Sequence, residues 1–281
     1  MNYLIVTDLD GTIIDNKCVL SSYTVKVFKH LQALGHKIVI NTGRTKTTSI
    51  KYYEALGLDT VMINDNGAYV SNPSSSDYPV QMVSLDEASL SSLMATARKH
   101  HLLGALYLSN GNGYFEAADR DDLLAIFEDD EISTFKKTSS YQALESLPTS
   151  VILFINVSEA SSFVKDFKDM MDANIGIRSW GKYKDAEIFE AYPLRINKYS
   201  SLLKVMSELG ISNSKLITFG DSMNDLEMIE NAGLGVAVYG SWVMKHLKEK
   251  GTLKNTTAYE GYKDGVAEFL VDFFQIDRKL L

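Results

Sequence analysis

The sequence predicts an α/β fold: a Rossmann-like, doubly wound parallel-sheet core with an inserted α+β domain. Three observations predict it. Short Ile- and Val-rich runs, apolar on both faces, alternate with stretches of helical periodicity in the N-terminal part. The rhythm breaks at SNPSSSDYP, a stretch of turn formers spanning Ser71–Pro79, and changes to helices followed by paired strands. It returns after Pro193.

The elements follow in order. Strands are expected at Leu4–Thr7, Lys37–Asn41 and Val61–Asn64. Between them, Ser22–Leu34 places Val25, Phe28, Leu31 and Leu34 at helical spacing before Gly35, and Thr47–Leu56 reads as a helix stopped by Gly57. This βαβαβ order implies a parallel sheet covered by helices. Leu85–His100 then reads as a helix, with His100 and His101 as its frayed end. Ala105–Ser109 and Tyr114–Ala117 read as paired strands joined by a four-residue turn, Asn110-Gly111-Asn112-Gly113. Asp121–Phe127 and Ala160–Asp172 read as helices, and Ser150–Val157, Ile175–Trp180 and Glu187–Ala191 as strands. Helices beside hairpin-type pairs indicate an antiparallel α+β unit. The core pattern then resumes: helices at Ser200–Leu209, Asp225–Asn231 and Ser241–Lys250, strands at Lys215–Phe219 and Gly235–Val238. The expected domains are a core of residues 1–82 and 193–281 and an insert of residues 83–192. Trp180 and Trp242 are expected to be packing residues, and Tyr52-Tyr53 to pack on one side of their helix.

Bulk properties narrow the function. The 281 residues carry a net charge of −8, which argues against nucleic acid or an anionic membrane as the main partner. A single cysteine, Cys18, excludes an intramolecular disulfide and a cysteine zinc cluster. The histidines form no i, i+4 pair of the helical zinc type. No signal peptide or membrane-length apolar run is evident, so a cytoplasmic location is expected.

In an open α/β sheet, ligands sit at the carboxyl ends of the strands. The first strand ends on Asp8 and Asp10, the second on Asn41-Thr42-Gly43-Arg44, and a later one on Gly220-Asp221 followed by Ser222-Met223-Asn224-Asp225. Lys198 precedes the helix leading into that later strand. If these strands are neighbours, four acids, a threonine and a lysine converge. Clustered acids require a cation, and an all-oxygen set suits magnesium (Mg2+) better than zinc. A threonine hydroxyl and free amides after a strand suit phosphoryl oxygens, and a lysine suits phosphoryl-transfer charge. Asp8 and Asp10, two apart, would share one face of a regular strand. Arg44 reads as a structural ion-pair partner and Asn66 as a turn former or a ligand.

These motifs resemble those of the haloacid dehalogenase-like (HAD) superfamily. Asp8-Leu9-Asp10-Gly11-Thr12 is similar to its DxDGT signature, Thr42-Gly43-Arg44 to its second motif, Lys198 to its third and Gly220–Asp225 to its fourth. Asn64-Asp65-Asn66-Gly67-Ala68 and Asp264-Gly265-Val266 resemble segments of the Cof-type phosphatase branch, which carries a C2-type cap between the second and third motifs. Tyr199 stands where the family usually has glycine after the lysine.

The resemblance implies roles. Asp8 would be the nucleophile, forming an aspartyl-phosphate, and Asp10 the acid and base. Thr42, Gly43, Asn66, Lys198 and Asn224 would bind the phosphoryl group or substrate. Asp8, the Asp10 backbone carbonyl and Asp221 would hold magnesium, with Asp225 supporting them. The leading expectation is a magnesium-dependent phosphatase of small phosphorylated metabolites, especially sugar phosphates. A hexose-phosphate phosphomutase would need a basic cluster in the insert for a second phosphate. A non-catalytic binding protein on the same scaffold ranks last, because every motif acid is present.

Overall fold

The computed structural model describes residues 2–117, 119–127, 129–170 and 174–281, with only the backbone of residues 129, 130 and 170. It forms two compact units. The first takes the chain up to Arg44, then Ser49–Val80 and Asn197–Leu281; the second takes Thr45–Thr48 and Gln81–Ile196.

The chain opens with β1 (Leu4–Thr7), α1 (Ser22–Ala33), β2 (Lys37–Ile40), α2 (Lys46–Leu56) and β3 (Met62–Asn64). A short strand unmarked by the sequence, β4 (Tyr69–Ser71), turns back antiparallel onto β3. The chain then supplies β5 (Gln81–Met82), α3 (Glu87–Lys99), β6 (Leu102–Ser109), β7 (Asn112–Glu116), α4 (Asp129–Ile132), β8 (Lys136–Lys137), β9 (Ser150–Asn156), α5 (Ala160–Met170), β10 (Ile175–Tyr183) and β11 (Ala186–Pro193). It returns through α6 (Lys198–Leu209), β12 (Leu216–Gly220), α7 (Leu226–Asn231), β13 (Leu234–Ala237), α8 (Trp242–Glu249) and α9 (Gly265–Phe274).

In the first unit the strand order is β13-β12-β1-β2, and every pairing is parallel. Leu4, Val6 and Val39 face the α6 side with Leu202 and Val205, whereas Ile5, Ile38 and Ile40 face Phe28, Leu31 and Leu270. Burial on both faces explains why these strands read as continuous apolar runs. Tyr52 and Tyr53 are both buried in this core.

In the second unit the order is β10-β11-β9-β6-β7-β8. Val151, Leu153, Ile155 and Phe189 pack against Leu93, Phe163 and Phe167 of α3 and α5. Leu106, Ile152, Phe154 and Ile188, on the other face, meet Leu123, Leu124, Phe127 and Phe135.

Several expectations change. The β6–β7 turn has two residues, Asn110 (φ 48°) and Gly111 (φ 75°), and Asn112 already pairs with Ser109; both φ values are those of a type I′ turn. Asp121–Ile126 is a 3-10 helix. Asp172, placed at a helix end, lies outside the described residues. His100 is buried, and its Nε2 lies 2.8 Å from Asp166 Oδ2, so it is an anchored cap rather than a frayed end. Trp242 is 72% exposed, whereas Trp180, 44% exposed, packs edge-on against Phe127. Among the described residues, no helix is long and apolar enough to cross a membrane.

Candidate active site

The site gathers at the carboxyl ends of β1, β2 and β12. The Asp8 amide donates to the Phe219 carbonyl at 3.1 Å, and the Asn41 amide to the Thr7 carbonyl at 2.9 Å. These bonds carry the parallel register one step past each strand. Asp8 therefore emerges between the ends of its two neighbours.

Immediately beyond Asp8 the chain turns. The Leu9 carbonyl accepts from the amides of Thr12, Ile13 and Ile14 at 3.0–3.1 Å, with Gly11 left-handed at φ 68°. A Cβ on Gly11 would lie 2.5 Å from Asp221 Oδ2, so this position needs both glycine's φ and its absent side chain. The turn also corrects the two-on-one-face expectation. Asp10 has left the strand: its carboxylate is about half exposed and accepts from Arg44 Nε at 2.7 Å and Nη2 at 2.6 Å.

Lys198 is the hub of the buried part. Its Nζ donates to Asp8 Oδ1 and Asp225 Oδ1, each at 2.7 Å, and it is only 1% exposed. The lysine sits in the first turn of α6 rather than ahead of it. Asn197 caps that helix, its side chain accepting from the Ser200 amide at 2.8 Å. Asn41 Nδ2 donates to the Lys198 carbonyl at 2.9 Å and ties the helix start to β2. Gly67 permits this approach, because a Cβ there would lie 2.4 Å from the Asn197 carbonyl.

Asp225 is fully buried, and its Oδ2 accepts from the amides of Asp221 and Ser222 at 3.0 Å each. It thus shapes the loop that carries Asp221. Ligand oxygens of Asp8, Asp221 and Asp225 all lie within 4.8 Å of one another. The Asp10 carboxylate is not in that group.

Thr42, Gly43, Asn66 and Asn224 are tied to one another. The Asn66 amide donates to the Thr42 carbonyl at 3.1 Å, and Asn224 Nδ2 donates to Asn66 Oδ1 at 2.8 Å. Gly43 lies against the Asn66 amide group. Thr42 Oγ1 accepts from the Arg44 amide at 3.2 Å. Asn66 takes a left-handed φ of 54°, a conformation asparagine tolerates. Its backbone is that of a turn former, and its side chain is the acceptor for Asn224.

The electrostatics follow from burial first and from crowding second. Burial pushes the Asp8 carboxyl up to about 7; Lys198 opposes the shift, and the Asp225 and Asp10 charges add to it. Burial pushes Asp221 up to about 8, with Asp8 and Asp225 adding to it against Lys198. Burial pulls the Lys198 ammonium down, but Asp225 and Asp8 outweigh it and hold it above the usual lysine value. One ammonium thus faces three carboxylates.

Sequence reasoning set Arg44 aside as a structural partner. The structure shows whose partner it is: Asp10, with Cys18 Sγ 2.9 Å from Nη2. The available signal was its place two residues past Thr42 at a strand end.

The fold and this acid-lined site define a doubly wound α/β protein equipped for phosphoryl chemistry. The chain matches the haloacid dehalogenase-like hydrolase family over residues 5–270 and belongs to that family, as a phosphatase-type enzyme. It is 28% identical over 277 residues to a 5-amino-6-(5-phospho-D-ribitylamino)uracil phosphatase of Bacillus subtilis, covering 98% of each chain. It is 24% identical over 244 residues to a pyridoxal phosphate phosphatase of Escherichia coli, covering 84% of this chain and 87% of that one. A haloacid dehalogenase-like hydrolase from Bacteroides thetaiotaomicron shares the fold with TM-score 0.81 and 22% identity, covering 98% of this chain and all of that one. A subclass IIB sugar phosphatase superposes with TM-score 0.75 and 20% identity over 98% of this chain and all of that one.

Proposed function

We propose that the protein is a magnesium-dependent phosphatase of small phosphorylated metabolites, with Asp8 as nucleophile and residues 83–192 as the cap that reads the leaving group. The observation that carries this reading is the buried Asp8–Lys198–Asp225 chain with Asp221 beside it. Asp8 Oδ attacks phosphorus, the ester P–O bond breaks, and the leaving alkoxide takes a proton from Asp10. Water then attacks the aspartyl-phosphate, giving its proton to Asp10 and releasing phosphate. Lys198 holds the attacking carboxylate and offsets phosphoryl charge, while Thr42, Gly43, Asn66 and Asn224 line the phosphoryl side. Arg44 grips both Asp10 oxygens, so proton delivery requires at least one of these bonds to be released.

The donor set fits a hard divalent ion. Its side-chain donors are all carboxylate oxygens, and burial, with the repulsion of the neighbouring acids added to it, pushes Asp8 and Asp221 toward the neutral form, a cost that a cation relieves. Asp8, Asp221 and the Asp10 backbone carbonyl would hold magnesium, with Asp225 steadying Asp221. When bound, the ion supplies charge neutralisation for phosphoryl oxygens and lets Asp8 stay ionised.

Sugar phosphates are one expected class. The Bacillus subtilis and Escherichia coli relatives act on ring-bearing phosphates, which widens the range to be assayed. The mutase reading is disfavoured by how the insert spends its bases. Arg98 pairs with Glu116, Lys137 with Asp121, Arg178 with Glu190, and Arg120 and Lys184 both with Asp122.

The test is a panel of sugar and ring-bearing phosphate monoesters with Mg2+, read by phosphate release. Wild type should hydrolyse at least one member and Asp8→Asn none. Activity that survives Asp8→Asn, or no hydrolysis of any member, refutes the assignment.

A further inference from the structure

We propose that two buried asparagines, Asn41 and Asn64, are positioning residues that fix the site's two cations, Lys198 and Arg44, by holding their main-chain carbonyls. The kinetic part of this inference rests on the phosphatase reading; the placement part does not.

The same arrangement occurs twice at adjacent strand ends. Asn41 follows β2 and Asn64 closes β3, and both are fully buried. Asn41 Nδ2 donates to the Lys198 carbonyl at 2.9 Å. Asn64 Nδ2 donates to the Arg44 carbonyl at 3.0 Å and to Ser49 Oγ at 2.8 Å. Strand alternation sends the two side chains to opposite sides. Asn41 shares the side of Val39, toward α6, and Asn64 that of Met62, toward α2.

Each asparagine is itself held by its strand. The Asn41 amide donates to the Thr7 carbonyl at 2.9 Å, and the next amide, that of Thr42, to the Ile63 carbonyl at 2.9 Å. Asn64 pairs with Tyr69 across β3 and β4. The two cations are held less firmly by their own segments. Lys198 is the first residue of α6, where an amide has no partner within the helix, and Arg44 follows Gly43 in a loop.

Stability does not account for the two asparagines. Both carbonyls keep a second donor: Ser201 Oγ for Lys198 at 3.1 Å, and the Asp65 amide for Arg44 at 3.2 Å. Neither carbonyl is stranded when its asparagine is removed. Each asparagine meanwhile leaves its Oδ1 buried with no hydrogen-bond partner among the described residues. A buried unpaired acceptor disfavours folding. Turning either amide over would set two oxygens against each other, so the donor's direction is fixed. What the two bonds secure is where two long side chains begin: that of Lys198, which reaches Asp8, and that of Arg44, which reaches Asp10.

The test labels the two cations and follows the kinetics. It uses Asn41→Leu and Asn64→Leu, which keep the branched shape, and Asn41→Ala and Asn64→Ala, which are too small to clash. Acetic anhydride reads access to the Lys198 amine and phenylglyoxal access to the Arg44 guanidinium, each by mass spectrometry. Both Asn41 variants should raise Lys198 labelling about threefold or more and leave Arg44 labelling unchanged; both Asn64 variants should do the reverse. The leucine variants should do so without lowering Tm. Kinetics are compared for 4-nitrophenyl phosphate, whose leaving group needs no added proton, and for whichever of glucose 6-phosphate and pyridoxal 5′-phosphate is turned over. Asn41 variants should lower kcat/KM about tenfold for both esters, because Lys198 acts on the phosphoryl group they share. Asn64 variants should lower it about tenfold for the alkyl ester alone, because Arg44 acts on the acid that protonates the alkoxide. Labelling that rises at both cations in every variant, or at neither, overturns the inference, as does an Asn64 loss equal on the two esters. Selective labelling in a protein that hydrolyses no ester supports the placement and sinks the phosphatase reading.

Discussion

Lys198→Met is the most informative perturbation of the core, because one ammonium serves two buried carboxylates. Nζ is 2.7 Å from both Asp8 and Asp225. Methionine keeps the stem's volume and removes only the charge. Deleting one partner of a buried pair costs about 3–5 kcal/mol, since the remaining charge is left without compensation. In a chain of this size that is roughly 5–8 °C in Tm. The cost should depend on pH. At pH 5, below the value of about 7 reached by Asp8, that carboxyl is protonated even with the lysine present, and the lost pair matters less. Thermal unfolding of the chelator-treated proteins at pH 5 and pH 8 reads both quantities. Asp225→Asn added to Lys198→Met should restore part of the loss at pH 8, because it removes one stranded charge while an amide oxygen still accepts from the loop amides. A loss below about 1 kcal/mol at pH 8, or one equal at both pH values, would refute the view of Lys198 as the charge that balances this cluster.

Other outcomes follow from the same geometry. Asp8 and Asp221 bind protons more tightly when folded, at about 7 and 8 against 3.8, so the metal-free protein should lose stability as pH rises from about 4 to 8. His36, whose pKa burial lowers, acts oppositely near its own range, so the clean readout is the difference from Asp221→Asn, which should flatten the loss; an unchanged slope contradicts the assignment. Arg44→Lys cannot reproduce the two-bond grip on Asp10 and should lower kcat about tenfold or more with little change in KM. Full kcat in Arg44→Lys beside an inactive Asp10→Asn would remove Arg44 from the positioning role. Gly11→Ala forces a left-handed alanine, costing about 1–2 kcal/mol, and pushes against Asp221, so it should weaken Mg2+ affinity in a calorimetric titration. Unchanged affinity would mean that Asp221 has room to shift.

The core was legible because its strands are buried on both faces and end on chemistry-bearing residues. Leu4–Thr7 needed no tertiary information: four apolar or β-branched residues stop at an acid. The features that were not legible depend on partners distant in sequence or on backbone irregularity. Asp10's direction is set by an arginine 34 residues away and by a turn at Gly11. Helix α9 went unread because it opens on a left-handed Asp264 followed by Gly265, a start without the usual capping pattern; Asp264 Oδ1 is instead used by Thr24 Oγ1 at 2.8 Å. Trp180 reads as a packing residue by its chemistry, and its partners Phe127 and Glu190 lie far from it in sequence or on the neighbouring strand.

The two aspartates of the DLD stretch differ by environment more than by position. Asp8 is withdrawn from water, shares an ammonium with a second acid and is destabilised by a third, so an ion that restores its charge also readies it for attack. Asp10 stays half in solvent, in a pair with Arg44 that is neutral overall. A group that must gain and lose a proton within one turnover benefits from solvent access and from a partner it can release. A nucleophile benefits from burial and a fixed direction. The turn at Gly11 produces both settings within three residues, which is why the proposed division of labour rests on this loop's geometry rather than on the acids' spacing.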